Sequence, residues 1–310
     1  MAILFLTPSA NAASRWADGL KKQFAGEDIR INSGPEGDGD VEFAIVWKPP
    51  PGRLAALPNL KAIFSIGAGV DHVFADPGLP EGVPIVRLID ETLTTQMTEY
   101  VVMNVLWHHR EMDDYAALVA AETWRHLHPP RTPERRVGIM GLGVLGSAAA
   151  EALSRFGFSL AAWTRRPRAW PLGEAFSGPD GLQPFLARSD ILVCLLPLTP
   201  ETAGILDAAA FSALPQGAVV INAARGGHLV EADLLDALES GQIKAATLDV
   251  FEQEPLAPGH RFWSHPKIRV TPHIASLTYP DAAAREIARN IARLRAGAPM
   301  IGVVDRDREY

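Results

Sequence analysis

Short apolar runs alternate along the whole chain with stretches whose apolar positions recur at helical spacing. That alternation predicts strand–helix–strand units and largely parallel sheets, because a parallel strand pair needs a long crossover and a helix supplies it. The apolar runs predict strands at residues 3–6, 43–46, 62–65, 85–88, 136–140, 159–163, 191–195, 218–221, 245–248 and 268–270. Residues 93–121 contain no Gly or Pro and predict one long helix that gives way at Glu122-Thr123-Trp124. The run Pro129-Pro130-Arg131-Thr132-Pro133 cannot continue a helix and marks a domain junction before the strand at 136–140. Near the end, Asp281 is expected to cap a helix whose apolar positions Ile287, Ile291 and Leu294 share one face and which stops at Gly297.

At 310 residues the chain has room for two domains, each able to bury its own core. With 47% hydrophobic and 21% charged residues, and no repeat or low-complexity linker, disorder and coiled coil are poor readings. The net charge of −7 and pI near 5.7 argue against the clustered basic surface that nucleic acid requires, so no nucleic-acid partner is expected. The single cysteine, Cys194, lies in an apolar run and reads as a buried strand position, not a nucleophile. The apolar start of the chain lacks a positive flank and is interrupted by Pro8, so it reads as a first strand and not as a leader. No apolar stretch approaches bilayer length, so the expectation is a cytoplasmic protein without a membrane partner.

Candidate chemistry starts at Gly141-Leu142-Gly143-Val144-Leu145-Gly146, a G-x-G-x-x-G run that follows one predicted strand and opens a helical pattern. Gly141 permits the tight turn, Gly143 lets the backbone approach a pyrophosphate, and Gly146 allows close helix packing, with the helix N-terminus facing the anion. In that context the run points to a dinucleotide. The next strand ends in Thr164-Arg165-Arg166-Pro167-Arg168, where an NAD-binding chain ordinarily offers an acid to the ribose 2′-hydroxyl. A carboxylate is missing and guanidinium groups are present, which suits the 2′-phosphate of NADP, with NADPH preferred over NADH.

In open parallel sheets ligands sit outside the carboxyl ends of the strands. Three predicted strands place Arg225, Asp249 and His273 at that edge. Arg225 suits the carboxylate and polarised carbonyl of a 2-oxo acid. His273 suits the proton donor for the developing alkoxide, with a carboxylate partner to be sought within Asp249-Val250-Phe251-Glu252-Gln253-Glu254.

Taken together these motifs resemble the D-isomer-specific 2-hydroxyacid dehydrogenase family, and within it the branch that reduces glyoxylate and hydroxypyruvate. The likeness runs through Val46-Trp47-Lys48-Pro49-Pro50, Gly67-Ala68-Gly69-Val70-Asp71, the glycine run, Leu196-Pro197, Pro200-Glu201-Thr202, Ala224-Arg225-Gly226, Leu248-Asp249-Val250-Phe251, Glu254-Pro255-Leu256 and Thr271-Pro272-His273. The resemblance implies two Rossmann-like or flavodoxin-like α/β lobes with an active-site cleft between them. The expected outer, substrate-binding lobe is 1–92 plus 273–310, with an NADP-binding lobe at 93–272. It implies a catalytic set of Arg225, Glu254 and His273, in which Glu254 partners the acid/base His273. It implies cofactor contacts at Gly141, Gly143, Val144, Leu145, Gly146, Thr164, Arg165, Arg166, Leu196, Pro197, Thr202, Ala223, Ala224 and Asp249, the last near the nicotinamide carboxamide. Substrate contacts are implied at Trp47, at the backbone of Ala68 and Gly69, and at Arg225. Family members commonly dimerise, so a homodimer is expected.

No metal is expected, since the adjacent His108 and His109 would point to different sides of a helix and do not form H-E-x-x-H. His228, just after Gly226-Gly227, has no assignable role. Two rivals stay open: a non-catalytic NADP(H) sensor of the same fold, and a family dehydrogenase for another 2-hydroxy acid.

Overall fold

The computed structural model describes residues 2–310. The chain divides into two compact units, one running through Leu93 and resuming at Thr278–Tyr310, the other Thr94–Leu277. These boundaries differ from the expected 92/93 and 272/273, and His273 falls in the second unit. The physical reason is local: the N–H of His273 donates to the Asp249 carbonyl at 2.8 Å, and those of Ile274 and Ala275 donate to the Asp249 carboxylate at 2.9 and 2.8 Å.

The first unit is a parallel sheet of β1 (Ala2–Leu6), β2 (Asp28–Ile31), β3 (Val41–Val46), β4 (Ala62–Ser65) and β5 (Ile85–Val86), ordered β2-β1-β3-β4-β5. That is a flavodoxin-like order. Trp16 and Leu20 of the helix Ala10–Gln23, with Ala283, Ala284, Ile287 and Ile291 of the helix Pro280–Arg295, pack on Ile3, Phe5, Phe43 and Phe64. Leu54, Leu57, Val70 and Val73 pack with Leu4, Ala44 and Ile63. Apolar cover on both faces is why β1 is buried at every position and reads as a continuous apolar run. The edge strand β2 escaped the sequence reading because its residues are half-buried or exposed and carry little apolar signal. Asp281 is not the cap of the last helix. Tyr279 holds that position, Pro280 starts the helix, and Asp281 sits in the first turn, where a carboxylate complements the helix dipole.

The second unit is a parallel sheet of β6 (Arg136–Met140), β7 (Ser159–Thr164), β8 (Gly173–Ser177), β9 (Ile191–Cys194), β10 (Ala218–Asn222), β11 (Ile243–Leu248) and β12 (Ile268–Val270). Its order is β12-β11-β10-β9-β6-β7-β8, with every pair parallel. The edge strand β8 was missed for the same reason as β2, since Gly173, Glu174 and Ala175 are exposed. The chain order switches direction between β6 and β9, and the glycine turn leaves the sheet from β6 at that switch point.

The long helix expected over 93–121 is broken. One helix spans Glu91–His109 and a second Met112–Ala120, with Glu111 in the left-handed region at φ 57°. Asp113 ties the two ends, accepting from Trp107 Nε1 at 2.8 Å and pairing with His108 Nδ1 at 3.2 Å. These contacts give Trp107 and His108 a structural role that periodicity could not reveal. No helix among the described residues is long and apolar enough to cross a membrane.

Candidate active site

Gly141, at φ 98°, turns the chain out of β6 with a conformation that side chains rarely adopt. A Cβ on Gly146 would collide with the Gly141 carbonyl oxygen, so glycine there lets the helix Val144–Ser154 seat against the turn. A Cβ on Gly143 would meet nothing within 4 Å, and the N–H groups of Gly143, Val144 and Leu145 donate to no acceptor among the described residues. Open space in front of unpartnered amides at a helix N-terminus is what a pyrophosphate requires. The residues present therefore fit a dinucleotide.

At the end of β7, Thr164 Oγ1 donates to the Arg166 carbonyl at 2.8 Å and shapes the loop that presents Arg165 and Arg166 to solvent. Arg168 is committed differently, donating from Nη1 to the Leu142 carbonyl at 2.8 Å and so bracing the glycine turn. Thr202, expected as a cofactor contact, donates to the Pro197 carbonyl at 2.7 Å and accepts from the Thr199 N–H at 2.9 Å, fixing the loop that carries Leu196 and Pro197.

Sheet register sets the catalytic edge. Asn222 aligns with Leu248 and Leu248 with Val270, so β10, β11 and β12 release Arg225, Asp249 and His273 at a common level. Asn222 is fully buried; its Oδ1 accepts from Ala224 N at 3.1 Å and its Nδ2 donates to the Arg225 carbonyl at 3.0 Å, curling the turn through Ala223 and Ala224. A Cβ on Gly226 would overlap the Phe251 carbonyl and the Glu252 nitrogen, so glycine lets the Arg225 turn lie against the segment leading to Glu254.

Glu254 Oε1 accepts the Phe251 N–H at 3.1 Å, and Oε2 lies 2.8 Å from His273 Nδ1. With Nδ1 donating to that carboxylate, Nε2 is the ring atom left to exchange a proton, and it has no partner among the described residues. His273 itself stands at φ 55°, a left-handed conformation costly for a non-glycine residue and maintained by its surroundings. The chief support is Asp249, which is 1% exposed. Its carboxylate accepts from Thr271 Oγ1 at 2.6 Å as well as from the amides of Ile274 and Ala275, and Thr271 Oγ1 in turn lies 2.7 Å from the hydroxyl of Tyr100. Burial pushes the Asp249 carboxyl above its ordinary value, against the lowering effect of those hydrogen bonds. The contacts of Asp249 thus hold the His273 turn in place.

In the first unit, Trp47 and the turn Gly67-Ala68-Gly69 follow β3 and β4, which are neighbours in register. The amides of Ala68 and Gly69 donate to no acceptor among the described residues, so two consecutive half-buried N–H groups are available to an anion. Sequence reading missed Asn222, Thr271, Tyr100 and the fully buried His228 as organising residues. The available signal was a polar residue ending an apolar strand, as in Val219-Val220-Ile221-Asn222 and Ile268-Arg269-Val270-Thr271.

A family model described as D-isomer specific 2-hydroxyacid dehydrogenase, NAD binding domain, matches residues 102–275. A protein from Serratia proteamaculans named glyoxylate/hydroxypyruvate reductase A is 45% identical over 310 residues, covering 98% of each chain. The solved structure of an NADPH-dependent glyoxylate/hydroxypyruvate reductase from Sinorhizobium meliloti, in complex with NADP and sulfate, is 42% identical with a TM-score of 0.93. It covers 100% of this chain and 99% of its own. A D-isomer specific 2-hydroxyacid dehydrogenase from Xanthobacter autotrophicus Py2, solved with NADPH and MES, has the same identity, coverage and TM-score. The glycine turn, the strand-edge residues and this full-length similarity agree: the chain belongs to the D-isomer specific 2-hydroxyacid dehydrogenase family.

Proposed function

We propose that this protein reduces small 2-oxo acids, glyoxylate and hydroxypyruvate foremost, to the corresponding 2-hydroxy acids with NADPH. The observation that carries the reading is the 2.8 Å contact between His273 and Glu254 at the strand edge that also releases Arg225. Relatives at 42–45% identity bear names with this activity, and structural neighbours were solved with NADPH or NADP.

In this reading Arg225 binds the substrate carboxylate and polarises the carbonyl through a cation held at a fixed turn. The amides of Ala68 and Gly69 are donors suited to a substrate carboxylate, and Trp47 is a substrate contact in the same unit. His273 delivers a proton from Nε2 to the oxygen as alkoxide charge develops, while Glu254 keeps Nδ1–H engaged and the ring in place. A bound NADPH supplies the hydride. Gly141, Gly143, Val144, Leu145 and Gly146 would hold its pyrophosphate, Thr164, Arg165 and Arg166 its 2′-phosphate, and Leu196, Pro197, Thr202, Ala223 and Ala224 would supply further contacts to the cofactor. Asp249, which holds the His273 turn, would lie near the nicotinamide carboxamide.

The test is the initial rate of NADPH and of NADH oxidation with glyoxylate and with hydroxypyruvate at matched concentrations. Turnover with NADPH well above NADH supports the reading. NADPH binding without turnover of either acid replaces it with the sensor role.

A homodimer formed through the second unit is proposed with it. Trp124 is 95% exposed, and the helix Met112–Ala120 that leads to it buries no residue in its own chain and leaves its Val119 76% exposed. A monomer in analytical ultracentrifugation at micromolar concentration removes this part. A cytoplasmic setting is proposed because the one cysteine is a buried free thiol and a reducing compartment suits it.

A further inference from the structure

Behind the turn Gly67-Ala68-Gly69 lies a buried histidine that the expected roles of this site leave unused. His72 stands in the short helix Asp71–Phe74 and is 9% exposed. Its ring packs on Trp47 with centroids 4.4 Å apart. The main-chain N–H of Lys48 points at His72 Nδ1 over 3.1 Å, and Nε2 lies 3.1 Å from Ser65 Oγ. The same hydroxyl accepts the Gly67 N–H at 3.2 Å and faces the Gly69 carbonyl at 3.0 Å.

The donors fix the direction of every bond in this chain. A backbone N–H can only donate, so Nδ1 accepts from Lys48 and the proton of the neutral ring resides on Nε2. Nε2–H then donates to Ser65 Oγ, which leaves the hydroxyl hydrogen for the Gly69 carbonyl. One unbroken run of hydrogen bonds therefore connects Lys48, at the left-handed φ of 47°, through His72 and Ser65 to both ends of the glycine turn. A Cβ on Gly67 would stand 3.0 Å from the Trp47 ring, so the indole and the turn are already in close contact and a small shift in either moves the other.

We propose that His72 is a positioning residue that sets the Ala68 and Gly69 amides and the Trp47 indole in one fixed relation, and thereby governs affinity for the substrate carboxylate. This rests on the oxo-acid reading of the site. The ring uses its two nitrogens and one face together, which neither an amide nor a benzene ring reproduces. Phenylalanine keeps the packing on Trp47 and loses both hydrogen bonds. Asparagine keeps an acceptor near the position of Nδ1 and loses the contact with Ser65.

The experiment compares His72→Phe, His72→Asn and Ser65→Ala with the wild type. It measures KM for glyoxylate, kcat, NADPH affinity by fluorescence, and amide hydrogen exchange of residues 65–70 without substrate. His72→Phe is expected to raise KM by about tenfold or more, with kcat and NADPH affinity near wild type. Exchange of the turn is expected to accelerate in the same variant, His72→Asn to recover part of both changes, and Ser65→Ala to move in the same direction as His72→Phe. Wild-type exchange of residues 65–70 in folded His72→Phe overturns the proposal whatever the KM. If His72→Phe does not fold, Ser65→Ala decides by the same criterion. A wild-type protein that turns over no oxo acid sinks the reaction reading, while accelerated exchange in the variants still upholds the positioning of the turn by His72.

Discussion

His273 Nδ1 lies 2.8 Å from Glu254 Oε2, while the other oxygen of Glu254 is held by the Phe251 N–H at 3.1 Å. Bonded on both oxygens, the carboxylate cannot swing away without breaking a main-chain contact, so it fixes which ring nitrogen is free to exchange a proton. His273→Ala should lower kcat by at least ~10²-fold, the usual loss with a general acid. Glu254→Gln retains an acceptor and should cost less than His273→Ala but more than a surface change. Steady-state rates of the two variants check the order; near-normal turnover of His273→Ala removes it from catalysis.

Arg165 and Arg166 stand exposed at the end of β7 without an acid among them. Each charge-assisted hydrogen bond to a 2′-phosphate is worth about 1.5–3 kcal/mol, so Arg165→Ala with Arg166→Ala should weaken NADPH binding by roughly tenfold or more. NADH binding should hardly change. Fluorescence titration with both nucleotides measures the difference, and equal losses for the two would contradict the phosphate assignment.

Gly226 allows the Arg225 turn to lie on the backbone of Phe251 and Glu252, where a Cβ has no space. Gly226→Ala should destabilise the second unit by about 1–3 kcal/mol and depress kcat/KM by displacing both Arg225 and Glu254. Urea unfolding and oxo-acid kinetics read the two effects. A variant with the wild-type midpoint and rate would show that the turn relaxes freely.

Burial raises the Asp249 carboxyl above its ordinary 3.8 despite the bonds it accepts. The folded state then binds this proton more tightly than the unfolded chain does. The stability contributed is fully present below pH 3.8 and is lost as pH rises through the raised native value. The stability of wild type relative to Asp249→Asn should therefore fall as pH increases from about 4 towards neutrality. Chemical denaturation of both proteins across that range tests the sign; a difference that grows with pH would reverse it.

Cys194 is fully buried in β9, and burial pushes its thiol up to about 12. The native protein should resist iodoacetamide at pH 8, an ordinary alkylation pH about at the value of a free thiol, and react with one equivalent after denaturation. Rapid labelling of the native chain would place the thiol at an accessible surface.

Local patterns in the chain were enough to predict most strands of the two sheets, the glycine turn, and Arg225, Asp249 and His273 just past strand ends. Strands covered on both faces are written as apolar runs, and a turn before a helix N-terminus needs glycine whatever packs around it. The edge strands β2 and β8 were not legible, because a strand with one free edge and exposed residues has little to bury and so little pattern to show. The break at Glu111 was hidden as well, since it depends on Asp113 reaching back to Trp107 and His108.

Residue types fixed the chemistry available to this protein, while register and packing decided which atoms meet. The strand ends that lead into Arg225, Asp249 and His273 share a level only because β10, β11 and β12 pair as neighbours in parallel. Glu254 could be told from Glu252 by resemblance but not by spacing; the fold selects it because its carboxylate reaches His273 while Glu252 stays exposed. Asp249 lies 22 residues from Thr271 and His72 lies 24 from Lys48 along the chain. Hydrogen bonds across such separations depend on chain folding, which local periodicity does not encode.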